Sequence, residues 1–141
     1  MREGIIRPLA LCIIRHNGRL LVMDGHDKKK NQKFYRLLGG GIELGEYGED
    51  ALKREFKEEL GAELKDIKYV ATIENIFTFE GAQGHEIVLL YEAELADDSL
   101  NDMELMPILD SESKNNALWK DISEFKENKS ILYPDNVIQY I

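Results

Sequence analysis

The chain has 141 residues, 43% of them apolar, which suits one globular domain able to bury about two thirds of its surface. It carries 27 acidic against 18 basic residues, and this net charge of -9 argues against a nucleic-acid-binding surface, because phosphate backbones are held mainly by Lys and Arg. The single cysteine, Cys12, cannot form a disulfide within the chain, and its apolar surroundings favour a buried thiol.

The N-terminal segment favours a cytoplasmic protein that does not enter a membrane. Arg7 and Pro8 interrupt its hydrophobic stretch, so it resembles neither a signal peptide nor a membrane span. Leu9–Arg15 and Arg19–Asp24 then read as strands around His16-Asn17-Gly18. Asn-Gly between two apolar runs is a strong hairpin signal.

A polar, basic stretch follows from Gly25 to Lys33 and is interpreted as a loop. It contains four lysines, Lys28, Lys29, Lys30 and Lys33. Two readings are open: a solvated loop, or a mobile rim that attracts a polyphosphate which the acidic surface would otherwise repel. Arg36, on the strand leading out of this loop, and Arg7 are further candidates for substrate phosphate contacts.

The segment from Gly40 to Ala62 reads GGIELGEYGEDALKREFKEELGA and predicts a helix with three distinct faces. Glu55, Glu58 and Glu59 are three and four residues apart, which places them on one stripe. An adjacent apolar stripe, able to fasten the helix to a core, consists of Leu52, Phe56 and Leu60. Lys53 and Lys57 fall on the solvated side.

Carboxylates crowded at the edge of a core repel one another. At about 4 Å each like-charge pair costs roughly 1 kcal/mol in water and about 4 kcal/mol at an effective dielectric constant near 20. A bound Mg2+ or Mn2+ reverses the sign of this term, because hard cations favour carboxylate and carbonyl oxygens and magnesium commonly bridges them to substrate phosphates. The stripe therefore predicts a divalent-metal site.

The same segment resembles the signature box of the Nudix (MutT-like) hydrolases. Matching positions are Gly40, Glu46, Arg54, Glu55, Phe56, Glu58, Glu59 and Gly61, and Ala62 holds the final aliphatic position. Two positions depart from the usual pattern. Leu38 stands where proline is common, and Tyr47-Gly48 stand where a Ser or Thr helix cap is often found.

The resemblance implies an α/β Nudix domain over residues 1–141, an α/β/α sandwich around a mixed sheet, with the box at 40–62. It also implies hydrolysis of a nucleoside diphosphate linked to another group. Glu58, Glu59 and the Gly39 carbonyl would be metal ligands, and Arg54 would orient the glutamates. Glu55 would be a ligand or the general base that activates the attacking water. The implied cofactor is Mg2+, with Mn2+ also open, and the substrate is a small nucleotide.

Two further strands, Ile67–Glu80 and His85–Leu95, are predicted around a turn at Gly81-Ala82-Gln83-Gly84. His85 and Glu86 are adjacent and so point to opposite faces, which means that only one of them can line a given pocket. The family often supplies one acid from outside the box, and Glu86 is the candidate for a supplementary metal ligand or catalytic carboxylate. Phe77, Phe79 and Tyr91 could stack a base but are more typical of a core.

In the C-terminal part, Ala96–Asp102 is predicted as a loop, and the structure of Met103–Leu109 is left open. Ala117-Leu118-Trp119 resembles a late Nudix strand, with Trp119 interpreted as structural. Ile122–Lys126 is expected to begin a helix, and Pro134 to stand at the first position of a last short one.

Several functional alternatives stay open at this stage. The substrate could be a nucleoside triphosphate or a nucleotide sugar such as ADP-ribose, with a slight preference for nucleotides. A different class is a non-catalytic Nudix module that binds a nucleotide metabolite and regulates a partner, although such modules usually lose box glutamates and all are present here. Assembly into a homodimer is also left open.

Overall fold

The structure, a computed structural model, describes residues 4–109 and 115–141. Within these residues the chain forms ten strands, two α-helices and two 3-10 helices. The strands are β1 (Ile6–Ile13), β2 (Arg15–His16), β3 (Arg19–Asp27), β4 (Gln32–Arg36), β5 (Leu38–Gly41), β6 (Leu64–Phe79), β7 (Ala82–Leu95), β8 (Leu105–Pro107), β9 (Asn116–Asp121) and β10 (Leu132–Tyr133). The α-helices are α1 (Gly48–Leu60) and α2 (Ile122–Lys126), and the 3-10 helices span Asp98–Asp102 and Asp135–Tyr140.

One sheet has four strands in the order β5-β1-β7-β6. Strands β1 and β7 are parallel, while β5 and β6 run antiparallel to their neighbours, so this sheet is mixed. From Leu9 onward strand β1 has both faces buried, because Leu9, Leu11 and Ile13 belong to one apolar cluster and Ala10 and Cys12 to another. This alternation is the two-residue period of a strand.

The other sheet follows the order β10-β4-β3-β9-β8, with the short β2 paired to β3. Its β3 also buries both faces, with Leu20 and Val22 on one side and Leu21 on the other. The two sheets thus contribute residues to both apolar clusters and form the middle of the molecule.

Helices cover both sides of this middle layer. Ala51, Leu52 and Phe56 of α1 lie in one cluster, and Phe125 of α2 lies in the other together with Val137 of the last 3-10 helix. The expected α/β/α architecture is therefore confirmed, with the strands divided between two sheets.

The Asn17-Gly18 hairpin is confirmed, with φ angles of 51° and 74° at the two turn residues. It is smaller than the apolar runs suggest, because only β2 pairs with β3 across it. Strand β1 instead pairs with β5 and β7 in the first sheet. The chain changes sheets between Ile13 and Arg15, which hydrophobic patterning alone does not reveal.

Several predicted boundaries are wrong. The polar stretch from Gly25 to Lys33 is mostly strand, because β3 continues to Asp27 and pairs there with Gln32 of β4. The turn between β6 and β7 is Glu80–Gly81, so residues 82–84 belong to β7. A 3-10 helix occupies part of the predicted 96–102 loop, and Pro134 precedes its 3-10 helix as the cap residue. The helix predicted from Ile122 is confirmed.

Candidate functional site: an acidic helix beside a glycine strand

Helix α1 presents the three faces that its sequence predicts. Leu52 and Phe56 are fully buried, Leu60 is partly buried, and Lys53 and Lys57 are exposed. The helix begins after Tyr47, whose extended backbone lets it act as N-cap without a side-chain hydrogen bond. It ends at Gly61, which has a left-handed φ of 63° and donates its N–H to the Lys57 carbonyl.

Arg54 occupies the centre of the carboxylate face. Its Nε and Nη2 donate to the two oxygens of Glu46 at 2.8 and 2.9 Å, which is a bidentate pair. Its Nη1 donates to Glu55 at 2.9 Å and to Glu58 at 3.4 Å. Nη2 also donates to the Gly41 carbonyl at 2.9 Å, which ties the helix to β5. Arg54 thus contacts three of the box glutamates, the residues that it is predicted to orient.

Pairing shifts the pKa values of both Arg54 and Glu46. Hydrogen bonds from Arg54 lower the pKa of the Glu46 carboxyl from its ordinary 4.5 to about 2, against the opposing effect of desolvation. Hydrogen bonds to Glu46 in turn raise the pKa of Arg54. The pair is therefore ionised at all physiological pH values.

Two glycines of β5 make room for close contacts, Gly40 with helix α1 and Gly39 with strand β1. A side chain at Gly40 would collide with the Glu55 carboxylate, and one at Gly39 would collide with the Ala10 backbone. Gly39 also has a φ of 140°, which side chains rarely allow. The glycine strand thus gives Glu55 its place against the backbone of the sheet.

The predicted metal ligands on α1 differ in exposure. The Glu59 residue is 8% exposed, whereas the Glu58 side chain is 43% exposed. In the parts of the chain that the structure describes, no three carboxylate, imidazole or thiolate groups converge as a ready-made metal site. The donor set nevertheless consists of hard oxygens, from the glutamates and the Gly39 carbonyl, and its chemistry fits a cation such as Mg2+.

A cavity of about 330 Å³ opens between the two sheets. It brings together three predicted site residues, Arg7 on β1, Arg36 on β4 and Glu86 on β7. The box glutamates are not among its lining residues. Arg7 connects the cavity with the acidic face of α1. Its guanidinium approaches Gly41, and the Gly41 carbonyl also accepts a hydrogen bond from Arg54.

Glu86 lies in a row of polar residues across three neighbouring strands. Its β1 partner in register is Arg7, and its β6 partner is Asn75, whose amide donates to the Glu86 carboxylate at 3.2 Å. Glu86 is 7% exposed and Asn75 is 9% exposed. His85 does not line the cavity, as expected from its opposite orientation on β7.

The cavity also has aromatic walls, of which the sequence named Phe77 and Phe79 as possible base-stacking residues and did not single out the others. Phe77 and Phe79 line it, although a core position was favoured for them, and Phe34 and Tyr133 line it from the other sheet. Phe34 and Tyr133 pack with ring centroids 5.3 Å apart. A usable signal was present, because Asn75, Phe77 and Phe79 alternate along β6 and so share the face that carries Glu86 on β7. Tyr91 belongs to the core, as expected.

The α/β/α layering and the acidic helix beside a glycine strand define a Nudix-type domain. The model of the NUDIX domain matches residues 6–136. The chain therefore belongs to the Nudix family, whose members are hydrolases of phosphoanhydride bonds, generally pyrophosphohydrolases that use divalent metals and act on small nucleotide substrates. No curated protein sequence matches the chain.

Solved structures share this fold. The MutT NUDIX hydrolase from Burkholderia pseudomallei is 20% identical, with a TM-score of 0.63 over 85% of this chain and 86% of that one. The E. coli ORF135 protein is 21% identical, with a TM-score of 0.57 over 94% and 84%. An ADP compounds hydrolase is 16% identical, with a TM-score of 0.60 over 96% and 66%. No α-helix in the described residues is long and apolar enough to cross a membrane.

Proposed function

We propose that this protein is a Mg2+-dependent pyrophosphohydrolase that cleaves the diphosphate linkage of a nucleoside diphosphate derivative with water as the nucleophile. The observation that carries the proposal is the Arg54 network, which holds Glu46, Glu55 and Glu58 beside the glycine strand. A single arginine among three acids offsets only part of their repulsion, and the net negative charge that remains can attract a cation.

Glu55, Glu58, Glu59 and the Gly39 carbonyl would hold the metal, with Mn2+ as an alternative ion. For this, Glu55 and Glu58 must turn away from Arg54. Arg54 would stay in place, since its bonds to Glu46 and to the Gly41 carbonyl do not depend on either residue. When bound, the cation would neutralise charge on the phosphate oxygens and lower the pKa of a water ligand.

The cavity between the sheets supports a nucleoside-containing substrate. Its aromatic walls suit the apolar faces of a base, and Arg7 and Arg36 supply positive charge for phosphates. Arg7 lies between the cavity and the glycine strand, so a substrate with its base in the cavity would direct its diphosphate toward α1. Either Glu55 or Glu86 would be the general base for the attacking water.

The test is a turnover screen with purified protein across nucleoside triphosphates, nucleotide sugars and dinucleoside polyphosphates. Each substrate is offered with Mg2+, with Mn2+ and with a chelator, and products are identified by chromatography. Hydrolysis in oxygen-18 water then identifies the phosphorus attacked. We expect metal-dependent cleavage of a diphosphate linkage, with a nucleoside monophosphate among the products.

The variant Glu59→Gln tests the predicted metal site. The substitution removes one charge and preserves side-chain size at a buried position of α1. We expect it to lower kcat by at least about 10^2-fold, because the metal that Glu59 would hold supplies several kcal/mol of charge stabilisation in the transition state, while its circular dichroism matches the wild type. Full activity in the folded variant would reject the assignment. If the wild-type protein binds a nucleotide tightly but never hydrolyses it, the result would instead support a regulatory, non-catalytic module.

A further inference from the structure

Asp27, a residue outside the signature box, joins two hairpin turns that belong to different sheets. Its Oδ1 accepts from the backbone N–H groups of Lys29 at 3.0 Å and Lys30 at 3.1 Å, in the turn between β3 and β4. Its Oδ2 accepts from the N–H of Glu80 at 3.0 Å, in the turn between β6 and β7. The residue is only 2% exposed.

More contacts connect the same turns. The Lys30 ammonium donates to the Thr78 carbonyl at 3.0 Å, and the Lys28 N–H donates to the Glu80 side chain at 3.5 Å. The Lys29 side chain lies so close to Gly81 that a Cβ there would collide with it. We call this set, residues 27–30 with residues 78–81, the hairpin clasp.

The hairpins joined by the clasp also carry the aromatic walls of the cavity. Phe34 is on β4 and Phe79 is on β6, and their rings meet edge to face with centroids 6.0 Å apart. Asp27 itself lines the cavity. Because the two touching rings belong to different sheets, the aromatic surface that they form together depends on how the hairpins dock.

We propose that Asp27 is a positioning residue that holds Phe34 and Phe79 together as one aromatic surface for the nucleobase of the substrate, an inference that rests on the proposed function. A charged carboxylate that accepts three backbone hydrogen bonds fixes the relative position of both turns. Its removal leaves three N–H groups without this acceptor, and the turns separate more easily. Removal of Asp27 should therefore weaken the binding of the base and leave the binding of the diphosphate unchanged.

The experiment compares two kinds of ligand by calorimetry in the presence of Mg2+. One kind is a nucleoside monophosphate, with AMP, GMP, CMP and UMP tried separately, and the other is inorganic pyrophosphate, which has no base. The variants are Asp27→Ala and the milder Asp27→Asn, which keeps one acceptor oxygen. Asp97→Ala is the matched control, because Asp97 also accepts a backbone hydrogen bond, from Ser99, but does not line the cavity.

We expect Asp27→Ala to weaken nucleoside monophosphate binding at least about tenfold and Asp27→Asn by less, with pyrophosphate affinity within about twofold of wild type. Asp97→Ala should leave both affinities unchanged. In a double-mutant cycle, Phe34→Leu and Asp27→Asn should be non-additive for monophosphate binding, which a merely structural role of Asp27 would not produce.

The outcomes separate the two proposals. If the wild type binds a nucleoside monophosphate and both folded Asp27 variants bind it equally well, this inference alone is overturned. The inference is also overturned if the affinities for the monophosphate and for pyrophosphate fall by equal factors, because the clasp would then act on the whole fold. If the wild type neither binds a nucleotide nor hydrolyses any substrate of the turnover screen with Mg2+, the proposed function fails and this inference fails with it. If it hydrolyses a substrate but binds no monophosphate, the inference alone is overturned.

Discussion

Arg54 divides its N–H groups between two kinds of acid. Its contacts with Glu46 are short and bidentate, while it gives Glu55 and Glu58 one contact each from a single nitrogen. Fork-to-fork pairs are geometrically specific, whereas single contacts are released more easily. Glu46 therefore anchors the arginine, which leaves Glu55 and Glu58 as the acids that can exchange it for another cation.

Glu46 should make stability depend on acid pH. Its folded pKa of about 2 lies below its ordinary 4.5, so the ionised form is favoured by folding. This contribution is fully present above about pH 4.5 and is lost as the pH falls toward 2. We expect Glu46→Gln to lower the urea midpoint at neutral pH and to flatten its decline over this window.

The control for net charge is Glu94→Gln, which removes one charge at an exposed position of β7. Urea midpoints are measured for all three proteins from about pH 7 to about pH 2. The curves of wild type and Glu46→Gln should converge at the acid end. Parallel curves across the whole range would show that the Arg54 pair does not favour the ionised carboxyl.

At the scale of elements, β5 controls the site through the absence of side chains. A Cβ at Gly40 would fall on the Glu55 carboxylate, which is the end of a flexible side chain and can move aside. We expect Gly40→Ala to keep the fold but displace this carboxylate, lowering kcat by about 10^2-fold, as misplacement of a catalytic group by about 1 Å can do. Steady-state kinetics and circular dichroism measure the two effects.

Gly41→Ala is the matched control on the same strand. Its Cβ would lie 3.3 Å from the Arg7 guanidinium, a contact that a small movement of Arg7 relieves. We expect kcat to change by less than about threefold, since this displacement does not touch α1, and any effect of moving Arg7, a proposed phosphate contact, should appear in KM. Equal losses in both variants would mean that the strand backbone, and not the Glu55 position, is what matters.

The start of α1 can be improved by one substitution. Tyr47 has the extended backbone of an N-cap but makes no capping hydrogen bond, and it is 81% exposed. Tyr47→Ser should stabilise the protein by about 1 kcal/mol, because the hydroxyl can accept from an unpaired helix N–H. In thermal denaturation this is a rise of roughly 3 °C. Tyr47→Ala, which cannot cap, should show no such gain.

The elements differ in how far the sequence predicts them. Helix α1 follows from the 3.6-residue period of Leu52 and Phe56, and Gly61 marks its end, since all these signals are local. The extension of β3 to Asp27 was missed, because a polar, lysine-rich run reads as loop. It becomes strand through pairing with β4 and through one hydrogen bond from the backbone N–H of the distant Glu80, both of which are tertiary interactions.

At the scale of the whole molecule, the candidate site has one part that the sequence predicts and one part that only the packing of the sheets reveals. Arg54 and the glutamates form a contiguous motif, so the sequence was sufficient to bring them together. The cavity needs residues from two sheets, such as Arg7 and Arg36, and these meet only when the sheets pack. Sequence reasoning named both arginines for their charge, but it could not assign them to one cavity.

The charge of the whole molecule leads to a prediction about substrate capture. A surface with a net charge of -9 repels polyphosphates, and the lysines of the β3–β4 hairpin lie at the cavity end of the molecule, where Lys30 lines the cavity itself. Replacing these lysines with glutamine should raise the KM at least about threefold at low ionic strength, with little change in kcat. The four positions are Lys28, Lys29, Lys30 and Lys33.

A control variant must lose the same charge elsewhere. Glutamines at Lys53 and Lys57, on the exposed face of α1, and at Lys65 and Lys68, at the far end of β6 from the clasp, change the net charge by the same amount. KM is compared for both variants across ionic strength. The electrostatic part of the difference should vanish at about 1 M salt, where screening extends over only about 3 Å, whereas any part caused by the lost Lys30–Thr78 contact should persist. An equal rise of KM in both variants would attribute the effect to overall charge. An unchanged KM in the hairpin variant would reject the hypothesis that these lysines attract a polyphosphate substrate.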